Sequence, residues 1–400
     1  MNRENGLVPT PANVESALGQ PPLRVIQVDS VESLQLAVAQ ADDNPIVPWG
    51  GGAGQMSGLP CSGSPVVIDL RPFAGVIEHD IDDMTISVKP GTRLIDLQAH
   101  LAEHNQYLPI DPAYPVVTTI GGMVAAAASG YLTSGYGTVR DLLIGLEAID
   151  ATGNLIHGGG RVVKNVTGYD LPKLLTGSNG QLAILTKLTF RVMPKPEARA
   201  SVVATGAAAS LISWMIDLRP AMDPVSAVVL CRPKEATDYG TITFHGATEA
   251  VTASAYGAAS NVRPDVSAQA YEGEYLPDPI EGNLVLRIQT MPSETVAMVD
   301  SLRERILASG GTITVLPLMG RIGCSWSDVP EHAADIIIAA TELCGKHGAS
   351  WFVDEAPIAL RSDAWCGPRV ADSLCNLNAG IRGAFDPDGR LNAGRFGPGS

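Results

Sequence analysis

The sequence predicts an α+β protein in two parts, and three observations predict it. Up to residue 194, short β-rich apolar runs alternate with short amphipathic helices and hairpin turns. Pro194-Lys195-Pro196 then sets two prolines in three residues, which favours an extended connector and marks a boundary. Beyond it the order becomes helix, three strands, helix, strand, helix, strand, as in an antiparallel sheet with helices on one face.

The first twenty or so residues are Pro-rich and aperiodic. Ser30 then stands as an N-cap before Leu34, Ala37, Val38 and Ala41, which fall on one helical face. IVPW runs into glycines, VVIDL at 66–70 reads as a strand, and VIEHDIDDMTISV reads as two strands about an Asp82-Asp83 turn. Pro90-Gly91-Thr92 ends a strand and opens the amphipathic helix RLIDLQAHLAEHN. Thr152-Gly153-Asn154 turns a hairpin, and ILTKLTFRVMP at 184–194 is a strand closed by proline. In the second part, SLISWMIDL, the segment after Pro292, and AADIIIAATELCG read as helices. SAVVLCR, TITFHG, NLVLRIQT, TITVLPL and SWFVD read as strands.

Four hundred residues suit two or three domains, and 45% hydrophobic content supplies a substantial core. A formal net charge of −15 argues against binding nucleic acid. No apolar run reaches the roughly 18 residues of a membrane helix, and the N-terminus lacks the pattern of a secretory signal. A soluble, cytoplasmic protein is expected. The six cysteines contain no CxxC pair, so neither a disulfide framework nor an iron–sulfur site is expected.

The chemistry is concentrated in glycine-rich segments. Gly50-Gly51-Gly52-Ala53-Gly54 follows a short apolar strand, and such a loop can converge its N–H groups on an anion, naturally a pyrophosphate. GxGxxG counted from Gly50 or Gly52 lands on Gln55 or Ser57, and no GxxxxGK[ST] occurs. Read alone, the loop is more often an ordinary turn than a ligand loop, and it needs a second element. The stretch 109–141 adds Thr118 and Thr119 hydroxyls, Gly121-Gly122, and an Ala run, over which a flat ligand could lie; a tight helix–sheet contact explains the same residues. A third segment, GGGRVVKNVTGYDLPKLLTGSNGQLAILTKLTF, brings further glycines with Lys164, Asn165, Tyr169, Asp170 and Lys173.

PWGGGAGQMSGLP, TTIGGMVAAAASG, YGTVRDLLIGLEAIDATGNLI, VVKNVTGYDLPKLLTGSNGQLAILTKLTFRVMP and FDPDGRLNAGR, in that order, resemble the PCMH-type, or vanillyl-alcohol oxidase type, FAD-binding family. The resemblance covers roughly residues 20–197 plus the tail. VVKNVTGYDL is particularly similar to the FAD-binding E subunits of bacterial glycolate oxidases. It implies a PCMH-type FAD-binding domain of two α/β subdomains at 23–197, after an N-terminal extension at 1–22. A cap of antiparallel sheet plus helices at 198–375 and a tail at 376–400 returning to the FAD domain complete the implied organisation. Gly50, Gly51, Gly52, Ala53, Gly54 and Gln55 would wrap the FAD pyrophosphate. Thr118, Thr119, Gly121, Gly122 and Ser129 would line the other side, with Gly137, Arg140 and Asp141 on the same wall. Ile184 would offer backbone groups to the adenine or ribose end, and Asn392 and Arg395 would fold back toward the flavin domain. Gln55 and Trp49 depart from the family's frequent Ser/Thr and Arg.

The pyrophosphate loop contains no His or Cys, and Cys61, beyond a proline, reads as packing, so noncovalent FAD is expected. The resemblance implies oxidation of a 2-hydroxy acid, glycolate to glyoxylate, in a complex with a larger flavin subunit and an iron–sulfur subunit. Those partners would hold the chain peripherally at the inner membrane face. A self-sufficient D-lactate-type dehydrogenase and a flavin-free scaffold are the alternatives. His79, His100, His104, His157, His245, His332 and His347 are separated in sequence, so no metal is expected, and His100 with His104 reads as a surface or interface pair. Arg232, His245, Arg287 and Arg321 sit on or beside cap strands, but none stands out as catalytic.

Overall fold

A computed structural model describes residues 8–160, 169–364 and 372–396. Along the chain run α1 (Pro11–Leu18), β1 (Arg24–Gln27), α2 (Val31–Gln40), β2 (Ile46–Trp49), β3 (Val66–Asp69), β4 (Val76–Asp80), β5 (Thr85–Val88), α3 (Leu94–Ala102), β6 (Gln106–Tyr107) and α4 (Ile120–Ala125). Next come α5 (Thr133–Tyr136), α6 (Val139–Leu142), β7 (Leu143–Ile149), β8 (Leu155–Gly159), α7 (Leu171–Leu175), β9 (Ile184–Arg191) and β10 (Met193–Pro194). The second half holds β11 (Ala198–Gly206), α8 (Ala208–Leu218), β12 (Ser226–Cys231), β13 (Asp238–Gly246), α9 (Thr248–Ser260), β14 (Ser267–Glu272), β15 (Leu284–Gln289) and α10 (Thr295–Ala308). The last elements are β16 (Thr312–Leu316), β17 (Arg321–Trp326), α11 (Ala333–His347), β18 (Ser350–Glu355), α12 (Ile358–Ala364) and α13 (Asp372–Phe385).

Two compact units result: unit 1 is Met1–Ser129, Thr138–Lys195 and Arg369–Ser400, and unit 2 is Gly130–Gly137 and Pro196–Pro368. One division falls inside the Pro194-Lys195-Pro196 run. Three details differ from the sequence expectation. The segment before residue 23 is no mere extension: Thr10 caps α1, Pro11 opens it and Gly19 closes it with φ 75°. Its Val14, Ala17 and Leu18 pack with Val47, Trp49, Cys61 and Val67 of unit 1. Residues 130–137 belong to unit 2, and the returning tail includes α13 from Asp372.

Unit 1 contains a parallel sheet of order β1-β3-β2 and an antiparallel sheet of order β4-β5-β9-β7-β8. Pro48 sits on β2, an edge strand, where a missing N–H costs least. Ser30 forms a capping box with Ser33, and Leu34, Ala37 and Val38 bury the apolar face of α2. The tail continues the parallel sheet: Ile46 N donates to Arg390 O at 2.8 Å and Asn392 N to Ile46 O at 2.9 Å.

Unit 2 is built on an antiparallel sheet of order β14-β11-β13-β12-β16-β17-β15-β18. Alternate residues, including Val202, Ile242, Val229, Val315, Ile322, Ile288 and Trp351, form one core with the apolar faces of α8, α9, α10 and α11. Because successive strand side chains face opposite ways, Arg199, His245, Arg287 and Arg321 lie on the other face. The predicted antiparallel sheet with helices on one face is thus observed, with β11, α9, β14, β17 and α12 added to the expected elements. Among the described residues no helix is long and apolar enough to cross a membrane.

Candidate functional site

The glycine loop leaves β2 and turns back at once: Gly52 has φ 81°, and Gln55 N donates to Gly52 O at 3.1 Å. Gly50 and Gly51 are held against the 117–119 segment so closely that a Cβ on Gly50 would overlap Thr119 Oγ1. A Cβ on Gly51 would overlap the Val117 carbonyl. The two small-residue segments singled out in the sequence therefore meet in unit 1. Gly54 has nothing within 4 Å of the position its Cβ would take, so the loop is open on that side. The amides of Gly50, Gly51, Gly52, Ala53 and Gly54 donate to no acceptor among the described residues. Such a row of unspent donors fits the oxygens of a dinucleotide pyrophosphate.

The returning tail fixes this loop. Arg395, only 2% exposed, donates through Nη1 to Gln55 Oε1 at 2.7 Å and Asn392 Oδ1 at 3.0 Å. Through Nη2 it donates to the carbonyls of Gln55 and Ser57 at 2.9 and 2.8 Å. Gln55 Nε2 in turn donates to Pro48 O at 3.0 Å, so this residue serves the loop's own scaffold. Asn392 Nδ2 reaches the carbonyls of Asn179 and Gly180, at 2.9 and 3.3 Å. A planar guanidinium with fixed donors suits this task of gathering several carbonyls.

The other expected site residues divide. Thr118 is buried with its hydroxyl donating to Tyr114 O at 2.9 Å, and Thr119 caps α4 by accepting from Gly122 N at 3.4 Å. Gly121 N donates to Pro90 O at 2.8 Å, and its lack of a Cβ makes room for Pro90. Ser129 Oγ accepts from Val139 N at 3.3 Å. Arg140 donates to Lys173 O at 2.8 Å, and Asp141 accepts from Thr138 N and Oγ1 at 2.8 and 2.7 Å. Burial would raise the Asp141 pKa, but these hydrogen bonds, with the charges of Arg140 and Lys173, hold it below its ordinary value. Gly137 belongs to unit 2, apart from the others by that division. Ile184 opens β9 opposite Ile149, its side chain buried. Lys164 and Asn165 lie outside the described residues. Tyr169 is 93% exposed, and Asp170 caps α7 and pairs with Lys173 at 2.9 Å.

Unit 2 assembles a proton-handling chain whose members the sequence keeps far apart. On the sheet face opposite α8 to α11, Tyr136 Oη lies 2.9 Å from His245 Nδ1, and His245 Nε2 lies 2.8 Å from Glu274 Oε1. A carboxylate only accepts, so Nε2 carries a proton and donates to Glu274, while Nδ1 faces the tyrosine hydroxyl. Arg199 pairs with Glu274 at 2.6 Å from the position directly across β11 and β13. Burial would raise the Glu274 pKa, but the His245 hydrogen bond and the Arg199 charge outweigh it and hold the group low. Glu274 also borders a hollow of about 450 Å³ with Val203, Tyr271, Glu272, Gly273 and Tyr275. The other cap cations are occupied: Arg287 forms two hydrogen bonds to Asp354, at 2.8 and 3.0 Å, and Arg232 lies 3.8 Å from Glu235.

Two further sequence expectations meet the structure here. No disulfide joins the described cysteines; Cys61 is buried in the α1 cluster, and burial pushes its thiol pKa up despite the opposing charge of Arg395. The histidines are not all separated, because β4 brings His79 onto His100 and His104 at the end of α3. Burial first, then the neighbouring imidazoles, push the His100 pKa down, with Glu103 acting the other way.

Comparison with known proteins bears directly on this geometry. Residues 22–159 match the FAD binding domain family. The chain is 33% identical over 191 residues to the glycolate oxidase subunit GlcE of Escherichia coli (strain K12), covering 46% of this chain and 54% of that protein. It is 34% identical over 160 residues to the glycolate oxidase subunit GlcD of Bacillus subtilis (strain 168), covering 40% and 34%. To the mitochondrial D-lactate dehydrogenase [cytochrome] of Arabidopsis thaliana it is 35% identical over 153 residues, covering 38% and 27%. The chain thus spans about half, or less, of the curated relatives it matches. A solved alkyldihydroxyacetonephosphate synthase shares the fold, with a TM-score of 0.66 and 16% identity over 92% of this chain and 75% of that one. The glycine loop and its facing segment both fall inside residues 22–159, the stretch similar to the FAD binding domain family, and this match supports FAD as the cofactor.

Proposed function

We propose that this chain is the FAD-binding subunit of a complex that oxidises glycolate to glyoxylate. The observation that carries the reading is the row of unspent amides at Gly50 to Gly54, backed by the buried Arg395 clamp, in a chain similar to two glycolate oxidase subunits. Bound FAD supplies a hydride acceptor for the substrate carbon. The chain's own residues hold the cofactor by backbone N–H groups, which bind an anion without a dedicated cation. Cys61, packed under α1 with a raised pKa, supports noncovalent attachment. The partners in this reading are a larger flavin subunit and an iron–sulfur subunit that accepts electrons, and the complex works at the inner membrane face.

A self-sufficient 2-hydroxy acid dehydrogenase is the second reading, favoured by the Tyr136–His245–Glu274 chain. A proton taken up at His245 Nδ1 leaves an imidazolium that Glu274 stabilises, which is the task of a base for a substrate hydroxyl. One experiment separates the readings. The chain is purified alone, its visible spectrum recorded before and after acid precipitation, and glycolate or D-lactate added without oxygen. Yellow colour released to the supernatant, with no bleaching until the partner subunits are added, is the expected result. Bleaching by the chain alone, abolished by His245→Gln, replaces it with the second reading. A colourless protein that takes up no added FAD overturns both.

A further inference from the structure

Unit 1 carries a second constellation, on β4 and α3, that the flavin loop does not use. His100 and His104 are four residues apart at the C-terminal end of α3, and His79 reaches them from β4, an edge strand. His79 Nδ1 lies 3.2 Å from His100 Nε2. Ring centroids are 5.1 Å apart for His79–His100 and His79–His104, and 5.7 Å for His100–His104. One ring nitrogen from each of the three lies within 4.8 Å of the other two.

The surroundings prepare one of these nitrogens as a ligand. Gln106, 5% exposed, donates its Nε2 to Ile81 O at 2.8 Å, which turns its Oε1 toward His79. That oxygen lies 2.9 Å from His79 Nε2 and can only accept, so Nε2 carries a proton and Nδ1 is the nitrogen left facing His100 as a ligand atom. A ring oriented through its far nitrogen by a hydrogen-bonded acceptor is how metal-binding histidines are held. Tetrahedral Zn–N bonds of about 2.05 Å place ligand nitrogens about 3.3 Å apart, which the His79–His100 pair already matches. His104 is exposed on the turn after the helix, where a side-chain rotation brings its ring in.

We propose that His79, His100 and His104 bind a divalent first-row transition metal of borderline softness, with Zn²⁺ as the type, leaving a fourth position open. Three imidazoles select Zn²⁺, Cu²⁺, Ni²⁺ or Co²⁺ over Mg²⁺ and Ca²⁺, which require oxygen ligands. The ion would staple the edge strand β4 to the end of α3.

The test is calorimetric titration of the untagged, flavin-loaded chain with ZnCl₂, with CaCl₂ as control. One Zn²⁺ per chain is expected, with Co²⁺ substitution giving the visible bands of a four-coordinate site. His104→Ala removes an exposed side chain, so the fold persists; it and His100→Ala should weaken binding by more than about 100-fold. Gln106→Leu should weaken it by about 10- to 100-fold, the usual effect of losing such a support. Flavin content and far-ultraviolet circular dichroism check each variant's fold. Absence of stoichiometric Zn²⁺ binding in the wild type, or wild-type affinity in His104→Ala and His100→Ala, overturns the proposal and leaves a hydrogen-bonded histidine cluster.

Discussion

Gly51 and Gly54 stand three positions apart in one loop and do different things. A Cβ at residue 51 would overlap the Val117 carbonyl, a backbone atom with no rotamer to escape into. Gly51→Ala should therefore destabilise the apoprotein by about 1–3 kcal/mol, the usual cost of forcing extra atoms into a packed contact. It should also lower FAD affinity at least about tenfold. At residue 54 the added methyl meets no protein atom, so Gly54→Ala should leave the apoprotein's melting temperature near wild type and weaken only FAD binding. Thermal unfolding of both apoproteins, with flavin fluorescence titration, checks the pair; equal loss of apoprotein stability in both would show that the loop does not pack as described. Sequence alone names both as glycines of one anion loop, since spacing cannot say which one touches a neighbour 66 residues away.

Elements with strong local signals formed where the sequence placed them. Ser30, followed by Leu34, Ala37 and Val38, became the capped, half-buried α2, because cap chemistry and helical period are local. Ser30→Ala should cost about 1 kcal/mol, measured as a shift in the urea midpoint at unchanged slope. Elements stabilised mainly by partners were missed. β11 reads as the weakly patterned ARASVVATG, yet it is paired on both sides, by β13 and β14. α9 is rich in alanine and serine and buries Val251, Ala255 and Ala258, too small an apolar signal to stand out beforehand. Likewise Pro11 and Gly19 bound a helix that the Pro-rich composition of the first twenty residues conceals.

Across the whole molecule, carboxylates held below their ordinary pKa set the acid limit of stability. Burial would raise the Asp69 pKa, but two hydrogen bonds from the Arg71 side chain, one from its backbone N–H and one from Gln27 hold it down. Asp150 behaves alike: burial opposes, and the donors of Thr152 and Asn154 prevail. Asp141 in unit 1 and Glu274 in unit 2 share this balance. The folded state thus binds these protons less readily than the unfolded chain. Their stabilisation is complete above the unfolded carboxylate pKa of about 4 and is lost as pH falls through the lower folded values. His100, held below its ordinary value, should lower the urea midpoint as pH falls below about 6.5, while these carboxylates should leave it unchanged above about pH 5 and lower it below about 4. Asp69→Asn should flatten part of that fall; an unchanged acid profile in this variant would show that its ion pair contributes nothing.

By itself the sequence determined the α+β class, the glycine loops and most strands with alternating apolar residues. Those features rest on short-range rules: backbone freedom at glycine, side-chain period, and cap or turn chemistry within a few residues. The tertiary structure decided which residues of those loops support the scaffold. Thr118, Thr119 and Gln55 satisfy backbone groups, because a buried polar group must find a partner wherever the fold supplies one. It also decided which distant side chains meet: Arg395 on the glycine loop, Tyr136 on His245 and Glu274, and His79 on His100 and His104. These contacts span 340, 109 and 21 residues in their key pairs, and only strand order and packing bring such positions together.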